Sequence, residues 1–225
     1  MILLSFKLID HTNFNFRSGK YIHMDSESYV SVKSSKEIES GQELLINYGD
    51  YGNHDYLMKF GFLVPNNKFN EFNLPLDFSD HIELSGQQFE LKQKILKTAP
   101  TDVTLDAIKL ENYRINENIL KMLRIYFLTN EDVLTKPEIA GYLWKNFKDE
   151  ISTENEKKMC EFLIKILTSE IKKYKEAKSK RVTNEDITKA DQNTRNMLIL
   201  CENEIEILEK NLGFFERKLG TLLSL

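Results

Sequence analysis

The residues of this sequence best suited to chemistry gather around a tyrosine. Residues 38–62 carry a Ser40-Gly41 turn, an apolar run Leu44-Leu45-Ile46, then Asn47-Tyr48-Gly49, and further on Phe60-Gly61-Phe62. The apolar run is bounded by Gly41 and Gly49 and is too short for a helix, so it is read as a strand buried on both faces. Tyr48 then stands at the strand's end, where a phenol is a fixed hydrogen-bonding tip on rigid scaffold. Amphipathic packing of a terminal tyrosine is the plainer use of the same residue. Upstream, Asp10-His11-Thr12 has the composition of a turn closed by its own side chains. The four histidines (His11, His23, His54, His81) lack metal-ligand spacing, and no cysteine cluster exists, so no structural zinc is expected. Cys160 and Cys201 fall in apolar helical patterns, as buried free thiols of a reducing compartment would.

The elements that position these residues divide the chain into two regions. Residues 1 to about 75 are rich in strand and turn signals. Leu3-Leu4-Ser5-Phe6 and Tyr29-Val30-Ser31-Val32 read as strands, Ser18-Gly19 as a turn, and 53–59 as two helical turns that Asn53 can cap. Pro65-Asn66-Asn67 ends that unit. Beyond it, 72–78 is extended and 87–98 is a helix stopped by Pro100. Ile119, Met122, Leu123, Tyr126 and Phe127 lie on one helical face. Pro137 breaks 132–147 unless it occupies a first turn. Thr153-Glu154-Asn155-Glu156 reads as a capping box opening a helix with Met159, Phe162, Leu163, Ile166 and Leu167 on one stripe. Leu198, Cys201, Ile205, Leu208 and Leu212 mark a long last helix, with an apolar end that docks. The basic run Lys172 to Arg181 reads as a solvated helix end, with attraction of an acidic partner as the alternative.

With 225 residues, 41% apolar and 29% charged, the chain has the makings of a folded core rather than a disordered segment. A net charge of −4 gives no electrostatic case for nucleic-acid or anionic-membrane binding. No apolar run approaches the roughly 18 residues of a membrane span, and no signal-peptide pattern opens the chain.

Read as a set, Ile38, Gly41, Glu43, Leu44, Ile46, Tyr48 and Gly49 resemble the last conserved stretch of SET-domain methyltransferases of the Rubisco large-subunit methyltransferase type. Asn53 and Phe60-Gly61-Phe62 resemble the short helix and aromatic-Gly-Phe that follow it there. Leu8-Ile9-Asp10-His11-Thr12 is similar to the family's Asn-His-Ser segment, with Asp10 replacing the asparagine. Leu123-Arg124-Ile125 and the surrounding helices resemble the family's substrate-binding domain. The resemblance implies an α+β fold in which helix predominates. Residues 1–66 would form the C-terminal part of a SET domain, and 67–225 a larger all-α substrate-binding domain.

The resemblance also implies an activity: methyl transfer from S-adenosylmethionine to a protein lysine. A lysine amine, with a reference pKa near 10.4, must lose its proton before it can attack, and a narrow, partly dry channel favours the neutral form. Tyr48 would be the catalytic phenol that orients that amine. Asp10, His11 and Phe62 would bind the cofactor: the first two at its methionine end, the third against its adenine. A carboxylate at Asp10 accepts hydrogen bonds but cannot donate as an amide does. Phe60 would stand near the substrate channel where the family often has tyrosine, which bears on the number of methyls added. The expected partner is a protein substrate docked on the helical domain, with no direct nucleic acid and no membrane, inside the cell in cytoplasm or nucleus. Only about the last third of a SET domain is present, so the cofactor pocket is expected to be incomplete. Two other readings remain: a non-catalytic protein-interaction module carrying a SET remnant, and a protein-histidine methyltransferase.

Overall fold

The structure is a computed structural model that describes residues 13–14, 21–24, 30–33, 37, 39–41, 45–46, 48–75, 88–100, 107–111, 114–181 and 190–224. It divides into two compact units, Met1–Tyr51 and Gly52–Leu225. The strand expected at Leu3-Leu4-Ser5-Phe6, the turn at Ser18-Gly19, and Asp10 and His11 all lie outside the described residues.

The first unit holds four short strands: β1 (Asn13–Phe14), β2 (Tyr21–Met24), β3 (Val30–Lys33) and β4 (Leu45–Ile46). β2 and β3 pair antiparallel, with His23 opposite Ser31. β1 and β4 pair parallel, with Asn13 beside Leu45 and Phe14 beside Ile46. Parallel neighbours need a long crossover, and the β2–β3 segment lies within the one that joins them. The expected strand before Tyr48 is β4, and it runs beside the strand that follows Asp10-His11-Thr12.

The second unit is mostly helical: α1 (Asn53–Phe60), α2 (Phe89–Leu96), α3 (Glu117–Tyr126), α4 (Asn130–Thr135), α5 (Thr153–Arg181) and α6 (Gln192–Leu223). It is not all-α. β5 (Glu71–Pro75), β6 (Ala107–Glu111) and β7 (Arg114–Ile115) form an antiparallel sheet in the order β5-β6-β7. Ile108 and Leu110 point into the core while Lys109 and Glu111 face outward. The strand is five residues long, too short for its alternation to stand out beside the long helical periods. The overall α+β class with helix predominating is as expected.

Residues 52–66, which carry part of the SET resemblance, cluster with the helical unit. Asn53 explains why. Gly52, not Asn53, is the N-cap of α1, with no side-chain cap. The Asn53 amide is buried and turned inward instead. It donates to the Val64 carbonyl at 3.1 Å and to Asn203 Oδ1 on α6 at 2.8 Å. Its own Oδ1 accepts from Val64 N at 2.9 Å and from Asn67 Nδ2 at 3.3 Å.

Pro137 takes the first-turn option, opening a 3-10 helix (Pro137–Gly141) that is followed by a second (Trp144–Lys148). The cap of α5 lies one residue earlier than the sequence suggests: Ser152 Oγ accepts from Asn155 N at 3.1 Å. Glu156 is therefore not half of a capping box; it is buried against Arg124.

The core lies between the sheet, α3, the 3-10 helices and the α5–α6 pair. It includes Phe72, Ile108, Leu110, Met122, Leu123, Leu163, Leu167, Ile207, Leu208 and Phe215. Each such aliphatic or aromatic side chain contributes about 1.5–3 kcal/mol by leaving water. On α6 the expected stripe is only partly inward. Ile205 and Leu208 are buried, Leu198, Cys201 and Leu212 are half-buried, and Leu200, Ile207 and Phe215 complete the buried face. Lys172, Lys173, Lys175 and Lys180 of the basic run on α5 are exposed, and Lys175 and Lys178 pair with Glu209 and Glu202 of α6, each at 2.6 Å. Among the described residues, no helix is long and apolar enough to cross a membrane.

Candidate functional site

In the first unit, Tyr48 follows β4 and is half-buried. Gly49 lets the chain turn there, with φ +117°, a conformation that L side chains rarely adopt. A Cβ on Gly49 would stand 2.8 Å from Cε2 of Tyr51, so the Tyr51 ring packs directly on the glycine.

In the second unit, Phe60 and Phe62 come together around a residue that the sequence reading passed over. Gly61 ends α1 at φ 77°, and its N–H reaches the Leu57 carbonyl at 3.0 Å. This left-handed step reverses the chain, as glycine does at a helix C-terminus. The Phe60 and Phe62 rings are left 6.2 Å apart. Tyr56, fully buried one turn before Phe60, touches both, with ring centroids 6.0 Å from Phe60 and 5.3 Å from Phe62. Phe60 keeps 38% of its surface exposed and Phe62 is half-buried. A period of four in 56–60 is the only sequence signal for Tyr56. Of the residues expected to hold a cofactor, Phe62 alone is described, and its half-buried ring packs on Tyr56.

A second group of polar residues surrounds a cavity of about 210 Å³, lined by His54 and Asp55 of α1, Glu71 and Phe72 of β5, Tyr174 of α5 and Glu204 of α6. Phe72 and Tyr174 meet edge-to-face, with centroids 5.4 Å apart. Burial pushes the Glu204 carboxyl above its ordinary value, against the His54 imidazole and a hydrogen bond from Tyr174. Burial and the neighbouring carboxylates, Glu204 first among them, drive the Tyr174 phenol upward as well. Elsewhere, burial lifts the Cys160 thiol to about 11, which fits an inert core thiol. Among the described residues no group of His, Cys, Asp or Glu could hold a metal ion.

Leu123-Arg124-Ile125 is wholly buried, and Arg124 is structural. Its Nε donates to Glu156 Oε1 at 2.6 Å and its Nη1 to the Phe147 carbonyl at 3.0 Å, with the Lys148 carbonyl a further acceptor.

This architecture, a small β unit followed by a helical unit with an internal sheet, has counterparts among known proteins. The family model described as Rubisco LSMT substrate-binding matches residues 83–208, more than half of the chain, and the chain belongs to that family. It is 24% identical over 215 residues to an actin-histidine N-methyltransferase of Papio anubis, covering 90% of this chain and 34% of that protein. The human actin-histidine N-methyltransferase is also 24% identical, over 177 residues, with 75% of this chain and 28% of that protein covered. The chain thus spans about a third of the length of these curated relatives. Its fold is that of Rubisco LSMT bound to sinefungin and monomethyllysine, with a TM-score of 0.69 and 19% identity over 97% of this chain and 51% of that one. Rubisco LSMT bound to AdoMet gives a TM-score of 0.67 and 20% identity, with the same shares covered.

Proposed function

We propose that the chain carries the acceptor end of a SET-type protein methyltransferase together with its substrate-docking helical domain, and that it works with S-adenosylmethionine on a protein lysine. The observation that carries this reading is the Tyr56-Phe60-Phe62 ring cluster set by Gly61. The kinship with Rubisco LSMT structures, which extends over nearly the whole chain, supports it.

Bound S-adenosylmethionine would supply an electrophilic methyl on its sulfonium. Phe62 would lie against the adenine, and Asp10 and His11 would hold the methionine end. Tyr48 would orient the lone pair of the acceptor, and positioning of this kind is a large part of catalysis. Phe60, without a hydroxyl, would leave room beside the acceptor nitrogen.

A second reading takes histidine as the acceptor, favoured by the actin-histidine N-methyltransferases that align over 90% of this chain. Calorimetric titration with S-adenosylmethionine tests the cofactor, and mass spectrometry of methylated extract proteins identifies the acceptor. Absence of binding would leave the chain as a protein-interaction module.

A further inference from the structure

The Tyr174–Glu204 pair borders two openings on the helical unit. One is the cavity of about 210 Å³ described above. The other is a wider cleft of about 730 Å³ between α5 and α6, where Ala177, Met197, Leu198 and Cys201 make an apolar trough. Four described lysines around these openings are already engaged. Lys173 and Lys178 on the cleft rim pair with Glu170 and Glu202. Lys59 and Lys109 pair with Asp55 and Glu71. Tyr174 and Glu204 line both openings, His54 is the basic group whose charge acts on Glu204, and among the described residues Glu204 has no ion pair to a lysine or arginine.

We propose that this cleft receives a basic side chain, lysine or arginine, from an extended segment of a partner protein. Its aliphatic stem would lie along Met197, Leu198 and Cys201, and its cationic head would meet Glu204 and the Tyr174 hydroxyl. The occupant follows from charge and polarity together. An apolar trough closed by a carboxylate that has no lysine or arginine partner among the described residues matches a side chain with an alkyl stem and a charged tip. It disfavours an acidic segment by repulsion, and a wholly apolar one by leaving the carboxylate desolvated. The Tyr174 hydroxyl, in the same lining as Glu204, has acceptor capacity for the incoming N–H groups. The choice of a protein as the source of the cation rests on the docking role proposed above, and the proposal assigns no methyl acceptor.

The test is an NMR titration of the whole chain with Nα-acetyl-lysine amide, Nα-acetyl-arginine amide, Nα-acetyl-norleucine amide and spermidine. The lysine and arginine probes are expected to give saturable shifts at Tyr174, Cys201 and Glu204, and the norleucine probe none. Glu204→Gln should weaken the basic probes about 10-fold, as loss of one charge-assisted hydrogen bond does. Tyr174→Phe, which keeps the ring, should weaken them less. Equal shifts from norleucine, no saturable shift from either basic probe, or unchanged affinity in Glu204→Gln would each overturn the proposal. Tighter binding of spermidine than of the amino-acid probes would overturn the protein source. Failure to bind S-adenosylmethionine alongside intact shifts would remove the methyl-transfer reading alone.

Discussion

Nε of Arg124 lies 2.6 Å from Oε1 of Glu156, and both side chains are removed from water. Lys218 of α6 adds a second cation, 2.6 Å from Glu156 Oε2. Three charges thus join α3, α5 and α6. Removing Arg124 leaves Glu156 with Lys218 alone and takes the donor from the Phe147 and Lys148 carbonyls, at about 1–3 kcal/mol for each orphaned buried group. Arg124→Ala is expected to lower the urea midpoint accordingly, and Arg124→Lys to recover only part of the loss, because it cannot also reach the Phe147 and Lys148 carbonyls.

The same triad sets a pH window. Burial raises the Glu156 carboxyl, but the hydrogen bonds and charges of Arg124 and Lys218 outweigh it and hold it below its ordinary value. A depressed carboxyl pKa stabilises the fold fully above the unfolded value, and this is lost as pH falls through the folded one. Lys218 is desolvated too, yet its bonds to Glu156 and Glu150 hold it above its ordinary value. Its contribution is full below the unfolded value and lost as pH rises through the folded one. Unfolding measured against pH should show both limbs in the wild type, and a smaller acid limb in Glu156→Gln.

Asn53 is expected to matter to the fold out of proportion to its size. Its amide makes four hydrogen bonds that tie α1, the Val64–Asn67 turn and α6 together. Asn53→Ala leaves the buried Val64 groups without their partner, at about 1–3 kcal/mol for each orphaned group. Thermal melts should show a drop far larger than for the exposed neighbour His54→Ala.

Phe60 is a test of product rather than rate. A hydroxyl introduced by Phe60→Tyr adds a hydrogen-bond partner and removes space beside Phe62. Mass spectrometry of the product is expected to show fewer methyls per acceptor; an unchanged methylation state would count against a role for Phe60.

Glu204 should behave as binding-site residues often do, with stability given up for function. Its raised pKa means that the ionised carboxyl weakens the fold fully above the folded value, and that this penalty fades as pH falls below it and is gone below the unfolded value. Glu204→Gln is therefore expected to raise the melting temperature at neutral pH while weakening basic probes. A lower melting temperature would argue for a structural role.

How far the sequence foretold this varies by residue. β4 before Tyr48 and the short helix before Gly61 were legible, because glycine and apolar runs act locally, whereas Pro137 left a break and a first turn both open and the fold takes the second. Asn53 and Glu156 misled: each has the type and spacing of a cap, and tertiary partners far along the chain take it instead. Ser152 was hidden because Thr153 offers the same hydroxyl one residue later. Tyr174 and Glu204 left no local signal, since their meaning depends on which helices meet, and Tyr56 left only its four-residue spacing from Phe60.

The most direct test of the central claim is methyl transfer from labelled S-adenosylmethionine to extract proteins by the wild type and by Tyr48→Phe. The expected result is label on protein lysine with the wild type, and its loss in Tyr48→Phe with unchanged folding and cofactor binding. Full transfer by Tyr48→Phe, or no label with a folded wild type, would contradict it.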